Sequence, residues 1–148
     1  MKGCEGFTLI EVLVAVIVLA LGLLGLAGMQ AFGLRNNQSA YNRSQATQLA
    51  YDIADRMRAN TSALATYTTL VPTAASAQAA CLNTTGCSPQ TLAENDLFEW
   101  HTNLTTMLSG GAGTVTVAGG VYTITIRWDD DRDGNAANNP SFQTSFRL

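Results

Sequence analysis

The chain has 148 residues, 47% of them apolar and only 13% charged, with a formal charge of -3 and no basic run or basic helix face. That length leaves room for one small domain beside any membrane segment, and without a basic surface the chain is not expected to bind nucleic acid directly. The apolar residues concentrate in one stretch, so the composition describes a single-span protein with a modest head. That stretch is Val12 to Met29, about eighteen residues without a charge. As a helix it is roughly 27 Å long, close to one bilayer hydrocarbon thickness.

A secretory signal peptide carries its small-residue cleavage site after the apolar core, which is then discarded. Here Gly6 comes first, so a cut after it removes MKGCEG and keeps the apolar segment, beginning at Phe7. Lys2 and Glu5 leave together, and the charge of -3 persists. A lipoprotein reading of Cys4 fails, because a lipid-modified cysteine follows its apolar run. Glu11 is a lone carboxylate in this lipid-compatible segment, which costs several kcal/mol on insertion scales and calls for a partner. A new amino group on Phe7 supplies one, a helical turn away or on a neighbouring chain.

Gly6-Phe7-Thr8-Leu9-Ile10-Glu11, placed directly before an apolar span, resembles the processing site of type IV pilins and type II secretion pseudopilins. The resemblance implies a prepilin leader over residues 1–6, cleavage after Gly6 by a prepilin peptidase and N-methylation of Phe7. It also implies that Glu11 pairs with a neighbouring subunit's terminal amine during assembly. The plain alternative is an ordinary anchor with a chance glutamate. Lys2 before the span and Arg35 and Arg43 after it are too balanced to set topology. Orientation therefore follows from the motif: single-pass in the inner (cytoplasmic) membrane, head outside the cytoplasm, then the pilus filament at the cell surface.

Beyond Met29 no proline interrupts the chain until Pro72. Ala46, Leu49, Ala50, Ile53, Ala54 and Met57 recur at three- and four-residue steps, which builds one apolar stripe. One helix from about Thr8 to Ala59 is expected, its segment 7–33 hydrophobic all round and its segment 34–60 amphipathic, with Asp52 and Arg56 paired one turn apart. Gly22, Gly25, Gly28 and Gly33 weaken it. They read equally as close helix packing in the membrane or as a zone that bends when the subunit leaves the bilayer.

Residues 61–148 form the expected head. Ala59 to Cys87 is rich in Thr, Ala, Ser and Asn and reads as an irregular connection. Cys81 and Cys87, in a head outside the cytoplasm, read as one disulfide closing a small loop, with two reduced thiols as the alternative. A metal site there would need more ligands than His101. Asn83-Thr84-Thr85 matches a glycosylation sequon, but in such a loop this is near chance. Ser88-Pro89 is a helix start, followed by Leu92, Leu97, Trp100, Leu104 and Leu108 on one face and ended by Gly110-Gly111. Glu99-Trp100-His101 lacks a nucleophile or metal constellation, so His101 reads as structural and the chain as no enzyme, with no small-molecule substrate.

The last third is β. Thr114–Val117 and Tyr122–Trp128 alternate, joined by Ala118-Gly119-Gly120, and Tyr122, Ile124, Ile126 and Trp128 line one face. Phe142, Phe146 and Leu148 do the same in the final segment. The fold class is therefore α+β and pilin-like: a long N-terminal helix packed on a small antiparallel sheet. Between the last two strands, Asp129, Asp131 and Asp133 with Gly134 match the first half of a Ca²⁺ loop. Pro140 stands where a bidentate glutamate belongs, so a full EF-hand is excluded. A short Ca²⁺ loop helped by backbone carbonyls, Asn138 or Asn139 stands against a solvated hairpin loop.

Two longer stretches, Leu21–Gln30 and Leu34–Asn60, with Leu97-Phe98-Glu99-Trp100 and Trp128-Asp129-Asp130, resemble PilV-type minor pilins of type IV pili. This implies a low-abundance subunit that joins other minor and major pilins through its N-terminal helix, primes pilus assembly and influences adhesion or motility. The alternatives are a minor pseudopilin of type II secretion and a membrane-anchored Ca²⁺-dependent binding module.

Overall fold

A computed structural model describes residues 6–148; residues 1–5, most of the expected leader, lie outside the described part. Helix α1 spans Leu9–Ala59, α2 Leu64–Thr69 and α3 Pro89–Met107, followed by strands β1 (Ala112–Ala118), β2 (Val121–Arg127) and β3 (Ser141–Phe146). Short 3-10 turns lie at Thr61–Ala63, Pro72–Ala74 and Ala79–Leu82. The chain divides between Ser39 and Ala40 into two compact units.

In the first unit every residue from Phe7 to Phe32 is exposed, including the large aliphatic ones. The segment is long and apolar enough to cross a membrane. Gly22, Gly25, Gly28 and Gly33 have open space where a Cβ would stand, so no close approach among the described residues requires them.

In the second unit, the stripe read from the sequence is the stripe that is buried: Ala46, Leu49, Ala50, Ile53, Ala54 and Met57. It shares one core with Tyr67 of α2, with Leu97, Trp100 and Leu104 of α3, and with Val115, Ile124, Ile126 and Trp128 of the sheet. Burying a side chain of Ile or Leu size contributes about 1.5–3 kcal/mol. The Trp100 indole also donates to the Leu49 carbonyl oxygen at 2.9 Å, fixing α3 on α1. The helix ends at Asn60, whose amide side chain donates to the Pro89 carbonyl oxygen at 2.7 Å and so ties this end to the start of α3.

The sheet is an antiparallel meander in the order β1-β2-β3. Val115 pairs with Ile124 and Ile124 with Thr144; Val117 pairs with Tyr122 and Tyr122 with Phe146. This row parity puts the apolar side chains on the core face and Thr114, Thr116, Thr123, Thr125, Gln143 and Ser145 on the other. Tyr122 stacks on Phe146 at 5.7 Å between centroids, and the Arg58 guanidinium lies 4.7 Å from the Phe146 ring centre. Gly113 passes directly under α3: a Cβ there would stand 2.3 Å from Cη2 of Trp100.

Three local expectations are corrected. The connection after Ala59 is not irregular throughout but holds α2 and three 3-10 turns. Leu92 is not on the buried face of α3; Ala93 takes that position, and Leu92 is exposed. The spacing explains it, because Ala93, Leu97, Trp100 and Leu104 keep the four-three-four rhythm of a helix face, while Leu92 to Leu97 is a step of five. The expected Asp52–Arg56 pair is formed at 3.2 Å, and Arg56 also reaches Asp96 and Glu99. Leu148 lies past the end of β3 and is exposed, whereas Phe142 and Phe146 pack on the core.

Candidate functional site

The start of α1 is built from its first six described residues. Thr8 precedes the helix and its carbonyl oxygen accepts from the amides of Glu11 and Val12, at 3.1 and 3.3 Å. The Thr8 hydroxyl accepts from the same Glu11 amide at 3.4 Å. Thr8 is therefore the N-cap, and Glu11 stands at the third helical position, where a carboxylate complements the helix dipole. Phe7 is 84% exposed, and Gly6 ahead of it is exposed too. The Gly6–Phe7 bond lies on non-helical chain, one residue before the cap. Together Phe7, Glu11, Val12, Ala15, Val16 and Leu19 line a shallow, mostly apolar groove on one side of the helix.

A second cluster, in the head, is polar and half-buried. Arg56 donates to Asp52 at 3.2 Å, to Asp96 at 2.9 Å and to Glu99 at 2.8 Å. The Tyr67 hydroxyl donates to the other Asp96 oxygen, and the Asn95 side chain donates to Glu99 at 2.9 Å. Gln78 in turn donates its backbone N–H to Asn95, and Glu94 accepts from the hydroxyl and the backbone N–H of Ser76. Burial pushes the Tyr67 phenol up, and its bond to Asp96 adds to this. The Arg56 bond holds the Glu99 carboxyl below the usual range. The network joins α1, α2, α3 and the segment before the disulfide. Sequence reasoning found only the Asp52–Arg56 pair, because Asp96 lies forty residues away and nothing local marks it.

Cys81 and Cys87 are joined in a disulfide with Cα atoms 4.8 Å apart, in the ordinary range for such a bridge. Ser88 then caps α3, accepting from the Thr91 amide at 3.2 Å, with Pro89 at the first turn as expected. His101 is half-buried, with Nδ1 lacking a hydrogen-bond partner among the described residues. Its neighbours Glu99 and Trp100 are engaged with Arg56 and Leu49.

In the β2–β3 loop, Asp129, Asp131 and Asp133 each bring a carboxylate oxygen within 4.8 Å of the others. Burial and the neighbouring carboxylates of Asp133 and Asp129 raise the Asp131 carboxyl. The Asn135 backbone N–H and the Asn138 side chain hold that of Asp133 down. The Asn138 amide bridges Asp131 and Asp133 at 3.2 and 2.9 Å. One oxygen each of Asp129 and Asn139 is buried without a hydrogen-bond partner among the described residues. Asp130, the even-numbered member of the run, turns away: it accepts from Asn42 of α1 at 2.8 Å and from the Trp128 indole at 3.1 Å. The donor set is all oxygen and suits a hard cation such as Ca²⁺.

The described chain thus combines a capped helix, long and apolar enough to cross a membrane and carrying Glu11 in its first turn, with a disulfide-bearing α+β head. The prokaryotic N-terminal methylation motif matches residues 1–27, and the model described as type IV pilin Tt1218 matches residues 28–98. The chain belongs to the type IV pilin superfamily, a class of structural subunits processed by prepilin peptidase and assembled with other pilins. No curated protein and no solved structure matches it.

Proposed function

We propose that the chain is a minor pilin that takes part in initiating type IV pilus assembly. The observation that carries this reading is Gly6-Phe7 on non-helical chain directly before a bare apolar helix with Glu11 in its first turn. Its physical content is that a carboxylate at that depth becomes tolerable in a helix bundle once a neighbour's Phe7 amine meets it. The likeness of Leu34–Asn60 to PilV-type minor pilins supports the narrower assignment, with the head outside the inner membrane and influence on adhesion or motility.

The test is made in cells with the full chain. Glu11→Ala is processed normally but is depleted from sheared filaments, whereas Gly6→Ala retains its leader by N-terminal mass. Wild-type levels of Glu11→Ala in filaments overturn the reading. A minor pseudopilin of type II secretion shares the signature; deletion of the gene then abolishes secretion and leaves pili intact. A second role for the head is Ca²⁺ binding by Asp129, Asp131 and Asp133, favoured by their mutual approach within 4.8 Å. The ion would tie the loop that Asp130 fastens to α1.

A further inference from the structure

We propose that the outer edge of β3 pairs with β3 of a second copy of this chain, antiparallel and about a two-fold axis at Gln143, joining two heads through one six-stranded sheet. The inference does not depend on the pilus reading. The meander leaves two edge strands, and they differ. Residues 68–72 run beside β1 and share a groove with Thr114, Val115 and Thr116. No described helix or turn packs along β3 in that way. The Trp128 amide donates to the Pro140 carbonyl oxygen at 3.3 Å, and antiparallel ladders alternate, so Phe142, Thr144 and Phe146 bond to β2. Ser141, Gln143 and Ser145 therefore turn their N–H and C=O groups to the open edge, and all three residues are exposed. Such a row is a template for another strand, which proteins commonly blunt with charge or proline. Ser141–Phe146 contains neither.

The occupant follows from charge. Pairing must keep the row parity of the sheet, because a slip of one residue sends every side chain to the other face. With Gln143 opposite Gln143 of the second copy, Ser141 stands opposite Ser145 and Phe142 opposite Thr144. Arg147 then falls opposite Asn139 of the second copy, beside the loop of Asp129, Asp131 and Asp133. Arg147 is exposed and has no hydrogen bond or ion pair among the described residues. The loop is rich in acid, with Asp129, Asp130, Asp131 and Asp133 against Arg132, and one oxygen each of Asp129 and Asn139 meets no donor among the described residues. The cation stands just past one end of β3 and the acids just before the other. An antiparallel copy of the same strand brings them together, once on each side of the axis, as an isologous contact requires.

The experiment uses the full chain carrying Cys4→Ser, so that an introduced thiol is the only free one, dilute in excess detergent under mild oxidation. Gln143→Cys lies on the axis, where opposed Cα atoms stand about 5.5 Å apart, and cross-links to a species of twice the chain mass. Thr116→Cys, exposed on the same face but on β1, and Ser145→Cys, off the axis, each give about tenfold less. In the Gln143→Cys chain, Arg147→Glu lowers the yield about fivefold, the worth of two exposed ion pairs. Salt at about 1 M lowers the parent to the same level and leaves Arg147→Glu unchanged. Ser145→Pro removes an outward amide, spares the β2 ladder and abolishes the cross-link with tryptophan emission unchanged. Where Ser145→Pro loosens the head, the surface variant Arg147→Glu decides. Equal yields from Gln143→Cys and Thr116→Cys overturn the edge pairing. Equal yields with and without Arg147→Glu overturn the antiparallel copy as its occupant, as does cross-linking of Gln143→Cys in cells to a different chain alone.

Discussion

Arg56→Met removes the hub of the polar network while keeping most of the aliphatic stem. Its three partners are unequal. The side chains of Asp52 and Glu99 are each 40% exposed, so their ion pairs are screened and contribute well under 1 kcal/mol. The Asp96 side chain is only 9% exposed, and among the described residues loss of Arg56 leaves its carboxylate with the Tyr67 hydroxyl. Breaking a fully buried pair costs about 3–5 kcal/mol and an exposed one below 1, and Arg56 itself is 28% exposed, which sets the loss at about 2 kcal/mol. For a head of this size that lowers the melting temperature by about 10 °C. The assay is thermal melting of the full chain in detergent by near-ultraviolet circular dichroism at neutral pH. Asp52→Ala serves as the control and shifts the midpoint by no more than about 2 °C. The pH dependence carries a sign. Because the folded Glu99 pKa lies below its unfolded value, its contribution is complete above the ordinary glutamate range and is lost as pH falls through the folded pKa. Wild type therefore loses stability on acidification more steeply than Arg56→Met. Coincident melting of Arg56→Met and wild type, at neutral and acid pH, refutes the reasoning.

Three further outcomes follow from particular contacts. Gly113→Ala drives a methyl group to 2.3 Å from Trp100 and 2.7 Å from Leu104, and should destabilise the head by about 2–3 kcal/mol in the same melting assay. Replacing both Cys81 and Cys87 by Ser opens a loop with a sequence separation of six and should cost about 2 kcal/mol, read as a lower midpoint that reducing agent no longer changes. Isothermal titration of the full chain in detergent with Ca²⁺ should give heat that Asp131→Ala abolishes; no heat at millimolar ion removes the metal reading of the loop.

Much of this was legible before any coordinates. The stripe from Ala46 to Met57 and the alternation in Tyr122–Trp128 are local periodicities, and burial follows them because a helix or strand has only one face to hide. The start of α3 was legible for the same reason: Ser88 and Pro89 act on the turn they begin. What escaped was non-local or aperiodic. Tyr67 reaches Asp96 across twenty-nine residues of sequence, and Asn42 reaches Asp130 across eighty-eight. The six-residue helix α2 has no apolar rhythm to announce it, since it is ordered by Tyr67 entering the core. At the helix start the Gly6–Glu11 signature was plain, but the role of Thr8 was not, because a threonine inside a known motif reads as part of the motif.

Both tryptophans of the chain, Trp100 and Trp128, are fully enclosed in the head core, and the apolar half of α1 contains none. Intrinsic emission is accordingly confined to one end of the polypeptide. Excitation of the indoles should give a blue-shifted spectrum whether the anchor is dissolved in lipid, in detergent or in a fibre, and a red shift will signal loosening of the head alone. The molecule carries its own optical gauge, deaf to the apolar helix and tuned to the head.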